Sequence, residues 1–598
     1  MKKPFLWVLF LLLASLFILS GCGSGGSGGS TRYATLSGCV VDAADERKLE
    51  GVKVTVGNKV TAYTNSEGYF KTGKFSLGAY RITFSRSGYQ TVTDNQLFNQ
   101  EGEWYLITDF YLVPQISGGE VISPQSIYDL NIINGKGEVV INTQQKVGKV
   151  VLIPYNTSMT TGDYAGRITI SDNNGDHSLI NLSSRSNRRY SLQGADSSFF
   201  QKLKETEKEV FRNYLNQSYR PSYNQYSLDK SSPPNELYFY KDVELSEPQI
   251  VEVQAELKNE GENCYVYVDK KAKIGQEDYI EALAKKFDDF YDNMIHYFGE
   301  VRMNIDGYNK IFLLLTDLYV GSSAKVWGYF WGVNEFPRSY DNPYSNEKEI
   351  LFLTTVGAEE SDWLETIIST AEHEFQHLIN FTNRAPKVNS GYELERYYTE
   401  TFINEGLSMV AEDIAIAGPG KHNVQLDQDR VIPYLENPDA DSLCTWGGFA
   451  VDYPPAYMFM RYIVDRIGEE NIQRIIQSPR FGTDSLLDAA DEPSFLFLLR
   501  EWLTAVYLDC YDIDETKYAC IDLSVLEKDL KVDNIDSQMN IYLPDTTGMF
   551  LEKEYSPTLP DQITISTSGD DRFKLRVLMF SESGEFDFST GLQMAVKR

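Results

Sequence analysis

The chain has few basic residues for its acidic content. Its 598 residues include 55 lysines and arginines against 86 aspartates and glutamates, which gives a formal net charge of -31. A chain of this sign is repelled by phosphate-rich polymers and by anionic lipid surfaces unless a basic patch compensates. No basic groove can be read from the sequence, so nucleic acid is not an expected partner.

Cysteine is scarce as well, with six residues in the whole chain. One of them is Cys22, which follows an apolar N-terminal run, and the other five are an odd number. An odd number of thiols cannot all pair within one chain, so at least one stays reduced or bridges elsewhere. A disulfide-rich scaffold is therefore excluded.

The N-terminus reads as a bacterial lipoprotein signal. Residues 1–21, the predicted signal peptide, combine two lysines with an apolar run that is marginal for crossing a bilayer, and they end in the first three residues of L-S-G-C, whose last residue is Cys22. The L-S-G-C stretch resembles a lipobox, which implies that Cys22 is lipidated and that residues 22–32, rich in Gly and Ser, form a flexible tether. We therefore expect export and attachment to the bacterial cell envelope, at the outer membrane or the cell surface.

Export also bears on the remaining cysteines, since disulfides persist in oxidising compartments. Cys510 and Cys520 would close a short loop, and we expect them to pair. Two reduced core thiols are the alternative.

Histidine is the scarcest chemically versatile residue, with five in the chain. Two of them, His373 and His377, lie four positions apart in A-E-H-E-F-Q-H-L-I-N, and apolar residues around them recur at helical spacing. On a helix, positions i and i+4 project from one face, so both imidazoles can bind one cation. The pattern H-E-x-x-H predicts a zinc site with Glu374 as general base. His177 and His296 are interpreted as ordinary histidines.

A catalytic zinc usually takes three protein ligands and leaves one position for water. A second helix is predicted from residue 398 to 415, and on it Glu405 lies in N-E-G-L-S, a setting that resembles the Asn-Glu signature of gluzincins. This resemblance makes Glu405 the expected third ligand. Glu395, Glu400 and Glu412 are the competitors, and each is interpreted as a solvated helix charge.

The block from about residue 251 to 505 resembles the hyicolysin family of zinc metallopeptidases. The resemblance rests on A-E-H-E-F-Q-H-L-I-N, on I-N-E-G-L-S-M-V-A-E-D, and more weakly on G-Y-F-W and P-A-Y-M-F-M-R-Y-I-V-D-R-I-G. Two features depart from thermolysin-like enzymes, namely a longer spacing from His377 to Glu405 and Met409 where those enzymes have an Asp beside the metal ligands. The resemblance implies a single zinc ion and hydrolysis of a peptide or protein substrate.

The residue types fit that chemistry. Zinc acidifies a bound water, and Glu374 can accept its proton as the water attacks a peptide carbonyl. The developing oxyanion needs a further donor, for which Tyr453, Tyr457 and His422 are candidates and Tyr453 is the first choice. The strand E-I-L-F-L-T-T could be an edge strand that a peptide joins, or equally an interior strand.

The chain is expected to be multidomain, with N-terminal β-sandwich domains, an α+β zincin-like metallopeptidase domain whose C-terminal half is mainly helical, and a terminal β-rich segment. Residues 33–114 resemble the carboxypeptidase regulatory-like domain, a β-sandwich. The other predicted ranges are 115–248 for a β-rich accessory or prodomain-like region, 249–525 for the metallopeptidase domain and 526–598 for a C-terminal β-rich domain.

The function predicted is that of a cell-surface zinc-dependent endopeptidase, held to the membrane by its N-terminal lipid. The alternative is a non-catalytic surface lipoprotein, an adhesion or binding protein that retains a peptidase-like domain. The intact set of His373, Glu374, His377 and Glu405 favours the enzyme.

Overall fold

The structure is a computed structural model that describes most of residues 32–581. The larger stretches outside the described residues are 1–31, 113–126, 173–195, 217–232, 243–249, 555–561 and 582–598, and shorter gaps occur between them. The predicted signal, the predicted lipidation site Cys22 and all of the predicted tether except residue 32 lie outside the described residues. In the described part of the chain, no helix combines the length and the apolar character needed to cross a membrane.

The N-terminal domain is a β-sandwich, as the alternating sequence predicts. One sheet is built on β1, which pairs with β4, β5, β8 and β9, and the other has the order β3-β2-β6-β7. Alternate residues such as Val54 and Val56 point into a core shared by both sheets. The strands are β1 Tyr33–Asp42, β2 Lys53–Val56, β3 Val60–Tyr63, β4 Tyr69–Lys71, β5 Phe75–Ser76, β6 Gly78–Ser85, β7 Val92–Phe98, β8 Gly102–Tyr105 and β9 Phe110–Leu112.

A second β-domain is assembled from the two distant parts of the chain that the sequence treats as separate regions, 115–248 and 526–598. Its sheets have the orders β10-β24-β12-β22-β20 and β11-β23-β13-β21, so each sheet interleaves strands from both parts, and only the neighbours β22 and β20 come from the same part. The strands are β10 Ile127–Asn131, β11 Lys136–Asn142, β12 Val147–Asn156, β13 Tyr164–Asp172, β20 Val532–Asn534, β21 Gln538–Leu543, β22 Phe550–Glu554, β23 Gln562–Gly569 and β24 Phe573–Ser581. The predicted boundaries therefore divide one domain, because strand pairing between distant segments leaves no local signal.

The central domain has a six-stranded sheet of order β14-β15-β16-β17-β19-β18. The β16, β17 and β19 strands are buried on both faces, as their continuous apolar sequences predict. Helices α2 and α3 cover one face and helix α1 covers the other. The elements are α1 Asp196–Asn216, β14 Glu236–Asp242, β15 Ile250–Glu260, β16 Cys264–Asp269, α2 Asp278–Phe298, β17 Ile311–Thr316, β18 Gly328–Phe330, β19 Ile350–Thr354 and α3 Trp363–Arg384.

One expectation about this sheet is corrected, and one alternative that the sequence left open is decided. Strand β14 pairs with β15 along its whole length, so the central domain starts before the predicted residue 249. Strand β19, the E-I-L-F-L-T-T segment, pairs with β17 on one side and β18 on the other, so it is interior. The edge strand beside helix α3 is β18, three residues long, which was too short to be recognised from alternation.

The rest of the central domain is helical, as predicted. Helix α5 packs on α7, and a Cβ at Gly406 would lie 2.4 Å from Met460 Cγ and 2.6 Å from the carbonyl oxygen of Ala456. Glycine at this position therefore permits the close approach of the two helices directly beside Glu405. The helices are α4 Gly391–Tyr398, α5 Thr401–Glu412, α6 Ile432–Glu436, α7 Tyr453–Ile467, α8 Ile472–Ile476, α9 Thr483–Ala490 and α10 Phe495–Cys510.

The expected disulfide between Cys510 and Cys520 is not formed. Cys510 is buried at the end of α10, whereas the sulfur of Cys520 is 3.9 Å from Glu469 Oε1 and its backbone amide bonds to Asp465. The two residues are thus held by different neighbours. The alternative of reduced thiols describes this region.

A cluster of acidic side chains is buried where the 3₁₀ turn Gly332–Glu335 meets the start of β19. Neither carboxylate oxygen of Glu335 has a hydrogen-bond partner among the described residues. Burial, reinforced by the charge of Glu349 and then Asp306, raises the pKa of Glu335. Burial and the charge of Asp306 raise the pKa of Glu349 to about 8, against the smaller effects of the Ile305 amide and of Lys348.

Replacement of Glu349 by Gln should therefore change the pH dependence of stability. The folded protein retains a proton that the unfolded chain releases above the ordinary pKa of 4.5, so the free energy of unfolding falls between that pH and about 8. Glu349→Gln removes this loss, and we expect a gain on the order of 1–3 kcal/mol at pH 8 and little difference at pH 4. Thermal unfolding of both proteins, measured between pH 4 and pH 8, checks this prediction. Melting temperatures that change with pH in the same way in both proteins would contradict it.

Candidate metal centre

Helix α3 carries both histidines of the H-E-x-x-H pattern toward the same point. One side of the helix is apolar and packs in the main core through residues such as Ile367, Phe375 and Leu378. His373 and His377 project from another side, and their ring centroids are 4.9 Å apart. The predicted helix and its predicted geometry are both present.

Helix α5 brings the carboxylate of Glu405 to the two imidazoles. Glu405 Oε2 lies 3.3 Å from His373 Nε2 and 3.5 Å from His377 Nε2. Two ligands bonded to one tetrahedral zinc at 2.0–2.1 Å are about 3.3–3.4 Å apart, so these separations fit a shared ion. Among the described residues, these three form the one group of histidine, cysteine and carboxylate side chains that could hold a metal.

The other ring nitrogen of His373 is held by Glu412. The distance from His373 Nδ1 to Glu412 Oε1 is 2.9 Å, and Ser369 donates a hydrogen bond of 2.8 Å to Oε2 of the same carboxylate. Such a partner fixes the tautomer that leaves Nε2 available for a metal. Glu412 lies seven residues after Glu405, two helical turns away on the same face. Thermolysin-like enzymes have the corresponding carboxylate at the position of Met409, one turn after Glu405.

The three glutamates interpreted as solvated charges all have partners. Glu412 supports His373, Glu395 forms ion pairs with Lys208 and Arg212, and Glu400 is 3% exposed and accepts a 2.7 Å hydrogen bond from Arg384 Nε. Helical spacing alone does not distinguish these positions from exposed ones, since the partners come from other parts of the chain.

His377 is contacted by Ser408. Ser408 Oγ lies 3.1 Å from His377 Nδ1 and 3.4 Å from His377 Nε2, and it donates to Gln376 Oε1 at 2.6 Å. Ser408 follows Glu405 by three residues, so α5 supplies both a candidate ligand and a support for another ligand.

We predict that Glu412→Gln weakens zinc binding by about 10- to 100-fold, the usual effect of losing an outer-shell partner of a metal-bound histidine. Gln keeps the size of the side chain but lacks the charge that orients the imidazole. Zinc affinity measured by competition with a chromogenic chelator checks the prediction, with circular dichroism to show that α5 is intact. Unchanged affinity would mean that Glu412 only packs against His373.

Glu374 lies between the two histidines in sequence and faces the same site without belonging to the converging group. Its Oε2 accepts a hydrogen bond of 2.8 Å from the backbone amide of Phe330, the last residue of edge strand β18. Its carboxyl is 8% exposed, and burial raises its pKa against the lowering effects of His377 and His373. A raised pKa suits a residue that accepts a proton and later returns it.

The electrostatics of the site favour a cation. Burial lowers the pKa of His373, but hydrogen bonds to Glu405 and Glu412 outweigh it and raise the pKa to about 10. The pKa of Glu405 is lowered by His377 and His373 despite burial. The carboxylates that attract a proton here would equally attract a divalent metal ion.

The site opens into a cavity of about 610 Å³. Its wall combines aromatic side chains with polar ones and is built from α1, β18, α3, α4, α5 and the loop that precedes α7. The lining residues outside the metal group include Phe200, Lys204, Glu207, Lys208, Phe330, Trp331, Asn380, Tyr397, Tyr398, Thr401, Asn404, Trp446 and Tyr453.

Of the three candidate oxyanion donors, Tyr453 is the one that lines this cavity. Burial and the charge of Glu405 raise its pKa, Arg430 lowers it, and Glu374 adds a smaller raising effect. Tyr457 instead donates to Asp413 at 2.8 Å, and His422 Nδ1 is 3.1 Å from the same carboxylate. Of the two ordinary histidines, His296 contacts Tyr297 on α2, and His177 lies outside the described residues.

A family model described as the carboxypeptidase regulatory-like domain matches residues 35–112. This match confirms the interpretation of the N-terminal β-sandwich. It ends well before the metal group.

Two similar solved structures each cover less than a quarter of the chain. One is a type II cohesin–X–dockerin complex from Acetivibrio cellulolyticus, with 18% identity and a TM-score of 0.12, over 13% of this chain and 56% of that one. Another is a DUF3823 family protein from Parabacteroides merdae, with 16% identity and a TM-score of 0.12, over 22% of this chain and 68% of that one. The chain thus spans little more than half of the first of them. No curated protein is significantly similar to the chain.

Proposed function

We propose that the protein is a zinc-dependent peptidase that cleaves peptide bonds within its substrates. The observation that carries the proposal is the convergence of His373, His377 and Glu405 at distances that suit one zinc ion, with Glu374 beside them. The resemblance of residues 251–505 to the hyicolysin metallopeptidases supports the same reading.

Zinc bound by these three residues would supply Lewis acidity and lower the pKa of a coordinated water. Glu374 has the role of accepting the proton of the attacking water and delivering it to the leaving amine. The hydroxyl of Tyr453 donates a hydrogen bond to the carbonyl oxygen as negative charge develops on it. Glu412 and Ser408 hold the two imidazoles in the required orientation.

The cleft is suited to an extended peptide. Strand β18 is the edge of the sheet next to α3, and its last residue already contacts Glu374. A substrate that adds to this edge by main-chain hydrogen bonds would pass directly beside the metal group. Aromatic wall residues such as Phe330, Trp446 and Tyr453 would exclude water from the reacting bond.

The location proposed for this activity is the surface of the bacterial cell envelope. The proposal rests on the L-S-G-C sequence ending at Cys22 and on the Gly/Ser-rich residues after it. A lipid on Cys22 with this tether would hold the folded domains near the membrane and leave the cleft accessible to external proteins.

Metal analysis of the purified soluble region, together with a peptidase assay, tests the function. We expect about one zinc per chain and cleavage of an unfolded protein substrate that stops on treatment with a chelator and returns with added zinc. Zinc binding without cleavage of any peptide in a diverse library would favour the alternative of a surface binding protein. Absence of bound zinc would remove both the metal site and the peptidase.

A further inference from the structure

Helix α1 forms a wall of the cleft. Its apolar residues Phe199, Leu203, Phe211 and Tyr214 are buried against one face of the central sheet, so the helix is a fixed part of the fold. Trp331 Nε1 donates a 3.1 Å hydrogen bond to the carbonyl oxygen of Leu203, which ties α1 to the segment that follows β18. The polar side chains of α1 that point away from the sheet therefore contribute to the cleft.

Most charged groups on this side of α1 already have partners. Lys208 and Arg212 both pair with Glu395 of α4. Glu207 accepts hydrogen bonds from the backbone amide of Gly332 at 2.8 Å and from the Tyr398 hydroxyl at 2.9 Å. Lys208 and Arg212 thus have a carboxylate partner, the two donors to Glu207 are neutral, and together these contacts hold α1 against α4 and the segment after β18.

Lys204 differs from the other two basic residues. Its Nζ lies 2.5 Å from the hydroxyl oxygen of Thr401 and 6.0 Å from the ring centroid of Tyr398, both neutral groups. The charges of Glu405, Glu207 and Glu395 act on it, but no carboxylate among the described residues forms an ion pair with it. An ammonium group has three hydrogens to donate, so a single hydroxyl leaves donor capacity toward the cavity that Lys204 lines. Burial, with a further contribution from Lys208, lowers the pKa of Lys204 to about 8, and most of the population is still charged at neutral pH.

Lys204 is connected to the metal group through Thr401, which is on the same helix as Glu405. Thr401 lies one helical turn before Glu405 on α5, which is a rise of about 6 Å. A substrate residue near the scissile bond could therefore reach Lys204 while the peptide carbonyl faces His373 and His377. The aromatic neighbours Phe200 and Tyr398 reduce the local dielectric and strengthen an interaction with an anion.

We infer that Lys204 is a specificity-determining residue that binds a carboxylate of the peptide substrate. This inference rests on the proposed function, since it assumes that the cavity receives a peptide. The carboxylate could belong to an Asp or Glu side chain or to the C-terminus of the substrate, and the chemistry of recognition is the same for both. A charge-assisted hydrogen bond in such a setting typically contributes about 10- to 100-fold to affinity.

Equilibrium binding of short peptides to the zinc-loaded Glu374→Gln protein tests the inference without turnover. One series of acetylated, amidated alanine peptides carries a Glu at successive positions, a matched series carries Gln, and a third peptide has a free C-terminal carboxylate. Calorimetry at pH 7 should show at least about 10-fold tighter binding of one Glu peptide, or of the free-carboxylate peptide, than of its neutral match.

Lys204→Met should remove that difference and leave the affinity for the neutral peptide unchanged, while Lys204→Arg should retain most of it. Lys202→Met is the matched control, because Lys202 is on the same helix but does not line the cavity, and the preference should persist in it. Equal affinity for charged and neutral peptides in the starting protein, or the same preference after Lys204→Met, would overturn the inference. Zinc content measured on the same samples separates these outcomes from failure of the proposed function, which concerns the metal group.

Discussion

Substitution of Glu374 by Gln should abolish peptide hydrolysis and leave zinc bound. Gln occupies nearly the same volume and can still accept the hydrogen bond that Glu374 receives from the amide of Phe330, so the cleft should keep its shape. An amide cannot accept a proton from the attacking water, however. Loss of general-base assistance typically reduces a rate by about 10²- to 10⁴-fold.

The measurements are kcat on an unfolded protein substrate and zinc content on the same preparation. A change in stability at one position would lower activity and melting temperature together, whereas we expect only activity to fall. Glu365→Gln is a suitable control, because Glu365 is an exposed glutamate on the same helix, away from the metal group. Wild-type turnover in a zinc-loaded Glu374→Gln protein would remove Glu374 from the mechanism.

Substitution of Glu405 by Ala should deplete the protein of zinc. The carboxylate contributes one of three converging ligand atoms and the negative charge that partly neutralises the ion. Removing it leaves two imidazoles, a set that rarely retains zinc against a chelator. We expect zinc affinity to fall by more than about 100-fold, beyond the effect predicted for the outer-shell residue Glu412.

The ranking of variants is the informative result. Zinc affinity measured by chelator competition should fall most for Glu405→Ala, less for Glu412→Gln and not at all for Glu365→Ala. A larger loss for Glu412→Gln than for Glu405→Ala would mean that the metal binds one or two turns further along α5. Retention of full zinc by Glu405→Ala would show that another group completes the shell.

The sequence was most informative where the pattern is local. The helix that carries His373 and His377 follows from apolar spacing, and the i, i+4 relation fixes the convergence of the two rings. The sequence left open whether the E-I-L-F-L-T-T strand lies at the edge or in the interior, because strand order in a sheet depends on pairing between distant segments. The contact between Glu412 and His373 was not predicted for a related reason, since the two residues are 39 positions apart in the sequence.

The motif around Glu405 predicts the role of the residue but not how its helix reaches the histidines. Its N-E-G-L-S setting suggested a ligand, but the approach of α5 depends on packing against α7, where Gly406 contacts Ala456 and Met460. The role of Lys204 had no signal in the sequence at all. It depends on α1, which the sequence placed in an accessory region outside the metallopeptidase domain.

The β-domain built from two distant parts of the chain constrains the order in which the protein can fold. Asp129 on β10 pairs with Arg576 on β24, 447 positions later, and Arg576 also contacts Glu501 of α10. Strands β10 to β13 therefore cannot complete their sheets until nearly the whole chain has been synthesised. In the interval they expose unpaired edges of the kind that promote aggregation. A chain shortened before β20 would keep every residue of the metal group and still lose the strands that close this domain.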